Sequence, residues 1–477
     1  MAVALVLVPL LFALAALAIP SNRLRPWLVP VGGSVHLVLV LWALTQPHVS
    51  GLGGWLVVDS VARLVLALTS VLFFLCSIYA RGYLALYPDR SNRIFCACMF
   101  AFIAMLTLIA EAQHLGLMWV AIETTTLASA PMLYFQRSPR SLEATWKYLL
   151  IGSVGIALAL LGSLFLAYSE LRGGLQPSLL LGDLIADAPR LSKPWLRSAF
   201  VILFVGYGTK MGLAPMHTWK PDAYGEAPGL VGTLLAGGLT NCAFLAILRF
   251  YKICSASGDP RFAQELMIVV GLFSMAVAGV FMARQKDFKR MLAYSSVEHM
   301  GILVLGVGIG GAGVFGSMLH MLNNGLAKGV LFLSAANIHR AYASKTTDEV
   351  RGALHRLPVS AALLLAGFFA ITGSPPFGLF LSEFTILSAA ISGAHYAIAG
   401  VFLLLLVVIF TGMGATVLTV VQGKPSPNAS ATTLRDDFSS VMPGIVLIGL
   451  VLMLGVYIPG PVNALVRDAA LALEAGR

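Results

Sequence analysis

Runs of about 17–25 continuously apolar residues recur along almost the whole chain, each long enough to cross about 30 Å of hydrocarbon as a helix. About fourteen such runs begin near Met1, Trp27, Asp59, Ile94, Ala112, Glu143, Ser198, Pro228, Ala263, Met291, Val314, Pro358, Tyr396 and Met442. Lipid offers no hydrogen bonds to a bare backbone, so only helices or a closed barrel can fill it. These runs do not alternate between apolar and polar residues, so helices follow. With 58% hydrophobic and only 11% charged residues, the composition excludes a soluble globular protein of this size. The sequence predicts an all-α polytopic membrane protein whose first partner is the lipid bilayer.

The net charge of +10 could point to nucleic acid, but the placement of the basic residues argues against that. They gather in alternate short loops: Arg23 and Arg25; Arg81, Arg90 and Arg93; Arg137 and Arg140; Arg284, Lys286, Lys289 and Arg290; Arg340, Lys345, Arg351 and Arg356; Lys424 and Arg435. Loops enriched in Lys and Arg stay cytoplasmic, so both termini are expected on the outer, periplasmic side of a bacterial or archaeal inner membrane. Two even-numbered loops blur the pattern, one with Arg190, Lys193 and Arg197, the other with Arg249, Lys252 and Arg261. Met1–Pro20 has the apolar stretch of a signal peptide but no basic n-region, so it reads as a retained first helix. Cys76, Cys96, Cys98, Cys242 and Cys254 lack the paired spacing of metal sites, and no phosphate-binding loop or soluble domain is legible. No cofactor is expected in this chain.

Two runs are interrupted. One reads Gly208-Thr-Lys-Met-Gly-Leu-Ala-Pro215-Met-His217-Thr-Trp219-Lys-Pro221-Asp222, the other Thr372-Gly-Ser-Pro375-Pro376-Phe-Gly378-Leu-Phe-Leu-Ser-Glu383. Proline removes a backbone donor and clashes with the preceding turn, so each helix should break. The freed carbonyls must then line a wet cavity or meet protein. Each break falls in the fourth segment of a five-helix block, which points to an internal repeat. Five is odd, so the second copy must be inverted. The expected organisation is a three-helix segment over 1–93, a first repeat over 94–252 broken near 208–222, a second over 253–422 broken near 372–384, and a C-terminal helix and tail over 423–477.

Near these breaks lie ionisable residues inside otherwise apolar segments. A charge at mid-bilayer costs at least about 2.5–3.5 kcal/mol, so such residues usually move ions or protons. Glu123 precedes a Thr/Ser/Ala-rich face suited to close packing, and Lys210 sits just before the first break; if their helices are neighbours, a Glu–Lys pair would hold both charges. His320, Asn324 and Lys328, at i, i+4 and i+8, form one polar stripe, the arrangement a proton relay needs. Glu383, just past the second break, could end that relay. Glu298 and His299 lie deeper in their helix and read as a proton entry or side branch. Lys289 and Arg290 begin a helix at the expected cytoplasmic edge and read first as solvated topology markers. Asp59 and Arg63, at i and i+4, read as a structural pair.

These residues carry a resemblance. Pro215-x-His217-x-Trp219-x-Pro221-Asp222 after Lys210, Lys289-Arg-Met-Leu-Ala-Tyr-Ser-Ser296, the His320 to Lys328 stripe and Gly-Ser-Pro-Pro…Ser-Glu383-Phe are similar to the antiporter-like proton-pumping subunits of complex I, Mrp antiporters and group 4 membrane-bound hydrogenases. Ile122-Glu123-Thr-Thr-Thr-Leu-Ala-Ser-Ala, Leu142-Glu-Ala-Thr-Trp-Lys-Tyr-Leu and Ser295-Ser-Val-Glu298-His299-Met-Gly resemble the hydrogenase-4 component F type most. The resemblance implies a proton-translocating subunit of a redox complex of hydrogenase-4/formate hydrogenlyase or NADH–quinone oxidoreductase type. Its partners would be other membrane subunits and a soluble NiFe-hydrogenase or NADH/quinone module. It also implies that Glu123, Lys210, His217, Asn241, Lys289, Glu298, His299, His320, Asn324, Lys328 and Glu383 handle protons. Asn241 stands about where relatives often carry Lys or His, so the link between the halves would rest on Thr240, Asn241 and water. The rival readings are a sodium/proton antiporter, a static scaffold, and an ion-coupled subunit of inorganic-carbon uptake.

Overall fold

The computed structural model describes residues 1–424 and 434–474. Nine of its helices are long and apolar enough to cross a membrane: Arg25–Thr45, Ser60–Ala85, Arg93–Glu111, Pro139–Arg172, Gly229–Ala256, Pro260–Met282, Phe288–Ile309, Tyr396–Gln422 and Phe438–Val456. Three shorter apolar helices, Ala2–Ala18, Pro358–Ile371 and Gly378–Ser392, join them. Leu115–Leu133, Lys193–Met211 and Ala312–Tyr342 are equally long but carry Glu123, Lys210 and the His320 to Lys328 stripe. The chain is a multi-pass, all-helical membrane protein, with a short ladder pairing Ser50 with Val57 and Gly51 with Leu56.

Both interrupted runs are split as proline chemistry requires. The first helix ends at Met211, and the chain resumes as a helix at Trp219–Glu226. The second ends at Ile371 and resumes at Gly378. A glycine in the left-handed region closes each upstream half: Gly212 at φ +80° and Gly373 at φ +65°. No side chain fits at either. A Cβ on Gly212 would collide with the stem of Lys220, and one on Gly373 with the carboxylate of Glu383.

Gly229–Ala256 is enclosed on every side and includes a π-helical turn at Leu235–Leu239. There Gly237 lets the backbone of Gly325 and the side chain of Leu72 approach closely. The helix also removes one residue from the blurred charge pattern. Arg249 is buried, not a loop marker: it donates to the carbonyls of Ala110 at 2.6 Å, Ile109 at 3.1 Å and Ala112, closing the C-terminus of Arg93–Glu111. Its counter-charge is Asp59, at 3.6 Å.

The expected Asp59–Arg63 pair is therefore not formed. Asp59 instead caps its helix by accepting from the Ala62 amide at 2.8 Å. Arg63 donates to the Gln46 and Pro47 carbonyls at 2.7 and 2.8 Å. The expected C-terminal tail also differs: Gly460–Glu474 is an amphipathic helix that seats Val466, Ala469, Ala470 and Leu473 on the bundle. Residues 425–433 and 475–477 of that C-terminal unit lie outside the described residues.

Candidate functional site

Two polar clusters occupy the protein interior, one beside each helix break. In the first, the Lys210 ammonium is sealed from solvent and donates to the Thr126 hydroxyl. The Glu123 carboxylate lies 3.9 Å from it and accepts from Ser153 at 2.8 Å. Thr126 and Glu123 are three residues apart on one helix face, so a single turn presents both acceptors to the lysine. The Tyr148 ring stands 5.4 Å from the ammonium and adds a cation–π contact. Tyr148 is itself held by Ser129 at 2.7 Å. The pairing read from the sequence is present, but it is lopsided. Lys210 is fully enclosed, whereas a quarter of the Glu123 side chain is exposed, on an outer groove lined by Trp119, Ser153, Ile156 and Leu160.

The second cluster joins three helices. Lys328 donates to the Ser295 hydroxyl at 2.8 Å and to the Leu292 carbonyl at 3.4 Å. One turn further on, Glu298 lies 3.8 Å from the His299 Nε2. Nδ1 of His299 meets Nε2 of His320 at 3.0 Å, and Nδ1 of His320 meets the Ser382 hydroxyl at 2.9 Å. Glu383 follows Ser382, with its Oε1 buried and without a hydrogen-bond partner. Donor atoms of His299, His320 and Glu383 lie within 4.8 Å of one another. The two ring nitrogens share one hydrogen bond, so protonating one ring must change the role of the other. That is relay geometry; the same N,N,O set is also compatible with a metal ion.

Other expected residues stand apart from these contacts. Asn324 is buried, and neither side-chain polar atom is hydrogen-bonded. Asn241 turns its amide back to the Gly237 carbonyl at 2.8 Å, and Thr240 bonds Ala236 at 2.6 Å. Neither reaches across to another helix through a hydrogen bond. His217 packs 6.3 Å from the Tyr294 ring and 6.5 Å from Phe281, and its Nδ1 lacks a partner. Lys289 is not a solvated marker. It is buried as the second residue of Phe288–Ile309, its ammonium donates to the Ala227 carbonyl at 2.7 Å, and its amide donates to the helix-capping Asp287 at 2.9 Å.

Sequence reasoning missed two features. Asp222 of the first break binds Arg290 and, at 2.9 Å, Lys147, while Lys345 bridges Glu226 at 2.5 Å and Asp287 at 3.4 Å. These residues line one polar pocket together with Arg140 and Glu143. The other is Lys220, wholly buried inside the first break. Its signal was weak, because between Trp219 and Pro221-Asp222 it reads as part of a polar helix entry.

An all-helical membrane fold with two broken helices, each beside a buried protonatable cluster, defines an antiporter-like ion-translocating class. Residues 112–411 match the family described as NADH:quinone oxidoreductase/Mrp antiporter, transmembrane. A hydrogenase-4 component F homolog of Methylacidiphilum infernorum is 34% identical over 96% of this chain and 96% of its own length. NADH-quinone oxidoreductase subunit N of Acidithiobacillus ferrooxidans is 27% identical over 90% of this chain and 87% of its own. Among solved structures, a chain of an archaeal membrane-bound sulfane sulfur reductase superposes with a TM-score of 0.86, covering 99% of this chain and 97% of that one at 20% identity. A chain of the Mrp complex from Dietzia sp. superposes at 0.85, covering 98% and 96%, also at 20% identity. The chain belongs to the NADH:quinone oxidoreductase/Mrp antiporter membrane-subunit family.

Proposed function

We infer that the chain is the proton-translocating membrane subunit of a multisubunit energy-converting redox complex, of the hydrogenase-4/formate hydrogenlyase or NADH–quinone oxidoreductase type. The observation that carries this is the series of protonatable side chains, all but Glu123 buried, within one helical body. It comprises Glu123 and Lys210 beside the first break, and Lys328, Glu298, His299, His320 and Glu383 toward the second. A static scaffold has no use for so many ionisable groups in apolar surroundings. The relatives named for hydrogenase-4 and for NADH–quinone oxidoreductase are membrane subunits of such complexes, which favours a redox-driven role over a free-standing antiporter.

In this reading the protein forms two inverted five-helix units within about fourteen spans, with both termini outside, and each broken helix marks one half-pathway. Lys210 holds a proton while Glu123 supplies the counter-charge. Protonating or withdrawing Glu123 removes that attraction, and burial then favours release, because an enclosed amine is costly to keep charged. The proton moves toward Lys328, crosses the His299–His320 pair and leaves by Glu383. The ion-pair network around Asp222 and Lys345, with Lys289 beside it, is the entry for protons from the cytoplasm. His217, Asn241 and Asn324 serve as polar points where water can rest.

Copurification of the full chain from native membranes tests the assignment: a nickel–iron hydrogenase or an NADH-oxidising module should accompany it. Vesicles bearing that complex, energised by its own electron donor, should acidify, and Lys210→Ala should abolish acidification while assembly survives. Full transport by an assembled Lys210→Ala complex, or transport that requires sodium, overturns the proton assignment.

A further inference from the structure

Between the Lys210 and Lys328 clusters the first break buries one further amine, Lys220. It lies in the first turn of Trp219–Glu226, wholly enclosed, and no carboxylate among the described residues pairs with it. A buried ammonium without a counter-charge is strongly disfavoured, so the site suits a group that gains and loses its proton rather than a fixed charge. On one side its stem crosses Gly212, two residues past Lys210, where the missing Cβ leaves it room. The neighbouring Trp219 donates at 2.8 Å to the carbonyl of Thr209, the residue before Lys210. The Tyr224 ring stands 5.8 Å from the Lys220 ammonium, and its hydroxyl is buried without a partner.

On the other side Lys220 donates to the Ser296 carbonyl at 3.4 Å. The Ser296 hydroxyl donates to the Leu292 carbonyl at 3.2 Å, the oxygen that also accepts from Lys328 at 3.4 Å. One turn of a single helix thus separates the two amines. Lys220 also lies within electrostatic reach of Lys328 and of His299. Two enclosed ammonium groups facing the same turn repel, so a proton arriving on one favours departure from the other. Thr240 and Asn241, bonded back to their own helix, supply no such connection.

We propose that Lys220 is the proton carrier that joins the two clusters. As a free amine it accepts a proton originating at Lys210 and becomes the ammonium; it then yields one proton to the free amine of Lys328 and returns to its starting state. Each transfer breaks one N–H bond and forms another, with no change in net charge. The proposal rests on the transport function inferred above, and the experiment distinguishes the two.

The native complex containing the full chain is reconstituted in vesicles and energised by its electron donor, with Lys210→Ala as the reference for a severed pathway. Lys220→Met removes the carrier and should lower proton transport about a hundredfold. Lys220→Arg keeps the charge and the stem but cannot release its proton, and it should be as inactive as the Met variant. If Lys220→Met fails to assemble, the assembled Arg variant decides. Near-normal transport by either variant while Lys210→Ala is inactive overturns the carrier role and leaves the overall function standing. Normal transport by Lys210→Ala removes the overall function instead.

Discussion

Glu123→Gln removes the charge from the first cluster while keeping the side-chain shape and an oxygen to accept from Ser153. The carboxylate lies 3.9 Å from the Lys210 ammonium. At that range two unit charges attract by about 4 kcal/mol in an effective dielectric of about 20. The Glu123 side chain is a quarter exposed, and screening there reduces the net coupling to about 1–2 kcal/mol. Since about 1.4 kcal/mol is a factor of ten, the variant should weaken the coupling between the two groups about 5–30-fold. Thr126 and the Tyr148 ring still hold the lysine, so the fold should persist. Reconstituted vesicles reporting acidification per electron transferred are the assay. The expected outcome is a pumping ratio at least about fivefold lower, with donor oxidation continuing. An unchanged ratio would refute the idea that Glu123 controls Lys210 through its charge.

Arg249→Met strands three helix-terminal carbonyls, a loss of about 1.5–3 kcal/mol; thermal unfolding of the purified protein should show it, and a shift worth under about 1 kcal/mol would contradict the capping role. Ser382→Ala frees the His320 ring at a cost of about 1 kcal/mol in stability. Transport should nevertheless slow several-fold, and an unaltered rate would mean that ring orientation does not matter.

Much of this site was legible because membrane physics makes polarity conspicuous. Glu123, Lys210, Lys328 and Glu383 each interrupt an apolar run, and the prolines at 215 and 375 announce where the backbone opens. Spacing along one helix also read well: the His320 to Lys328 stripe is wholly interior. What failed was partner choice between segments. Asp59 and Arg63 have ideal i, i+4 spacing, yet Asp59 faces Arg249 from a helix remote in sequence. Lys289 resembles any basic residue at a helix start, and only the fold brings its ammonium to the Ala227 carbonyl. Lys220 was hidden by its company, because Trp219-Lys-Pro221-Asp222 reads locally as a polar helix entry. Nothing along the chain reveals that Gly212 opens a slot beneath it.

The uneven enclosure of the Glu123–Lys210 couple has a practical consequence. Its acid borders a lateral cleft, while its base is shut away, so the surroundings of the molecule reach one member and not the other. Exchanging lipid for detergent, or covering the cleft with a neighbouring chain, would alter the local polarizability at the acid alone. Behaviour recorded in micelles would then belong partly to the micelle, and any neighbour seated in that cleft would hold a handle on the first step of the conduit.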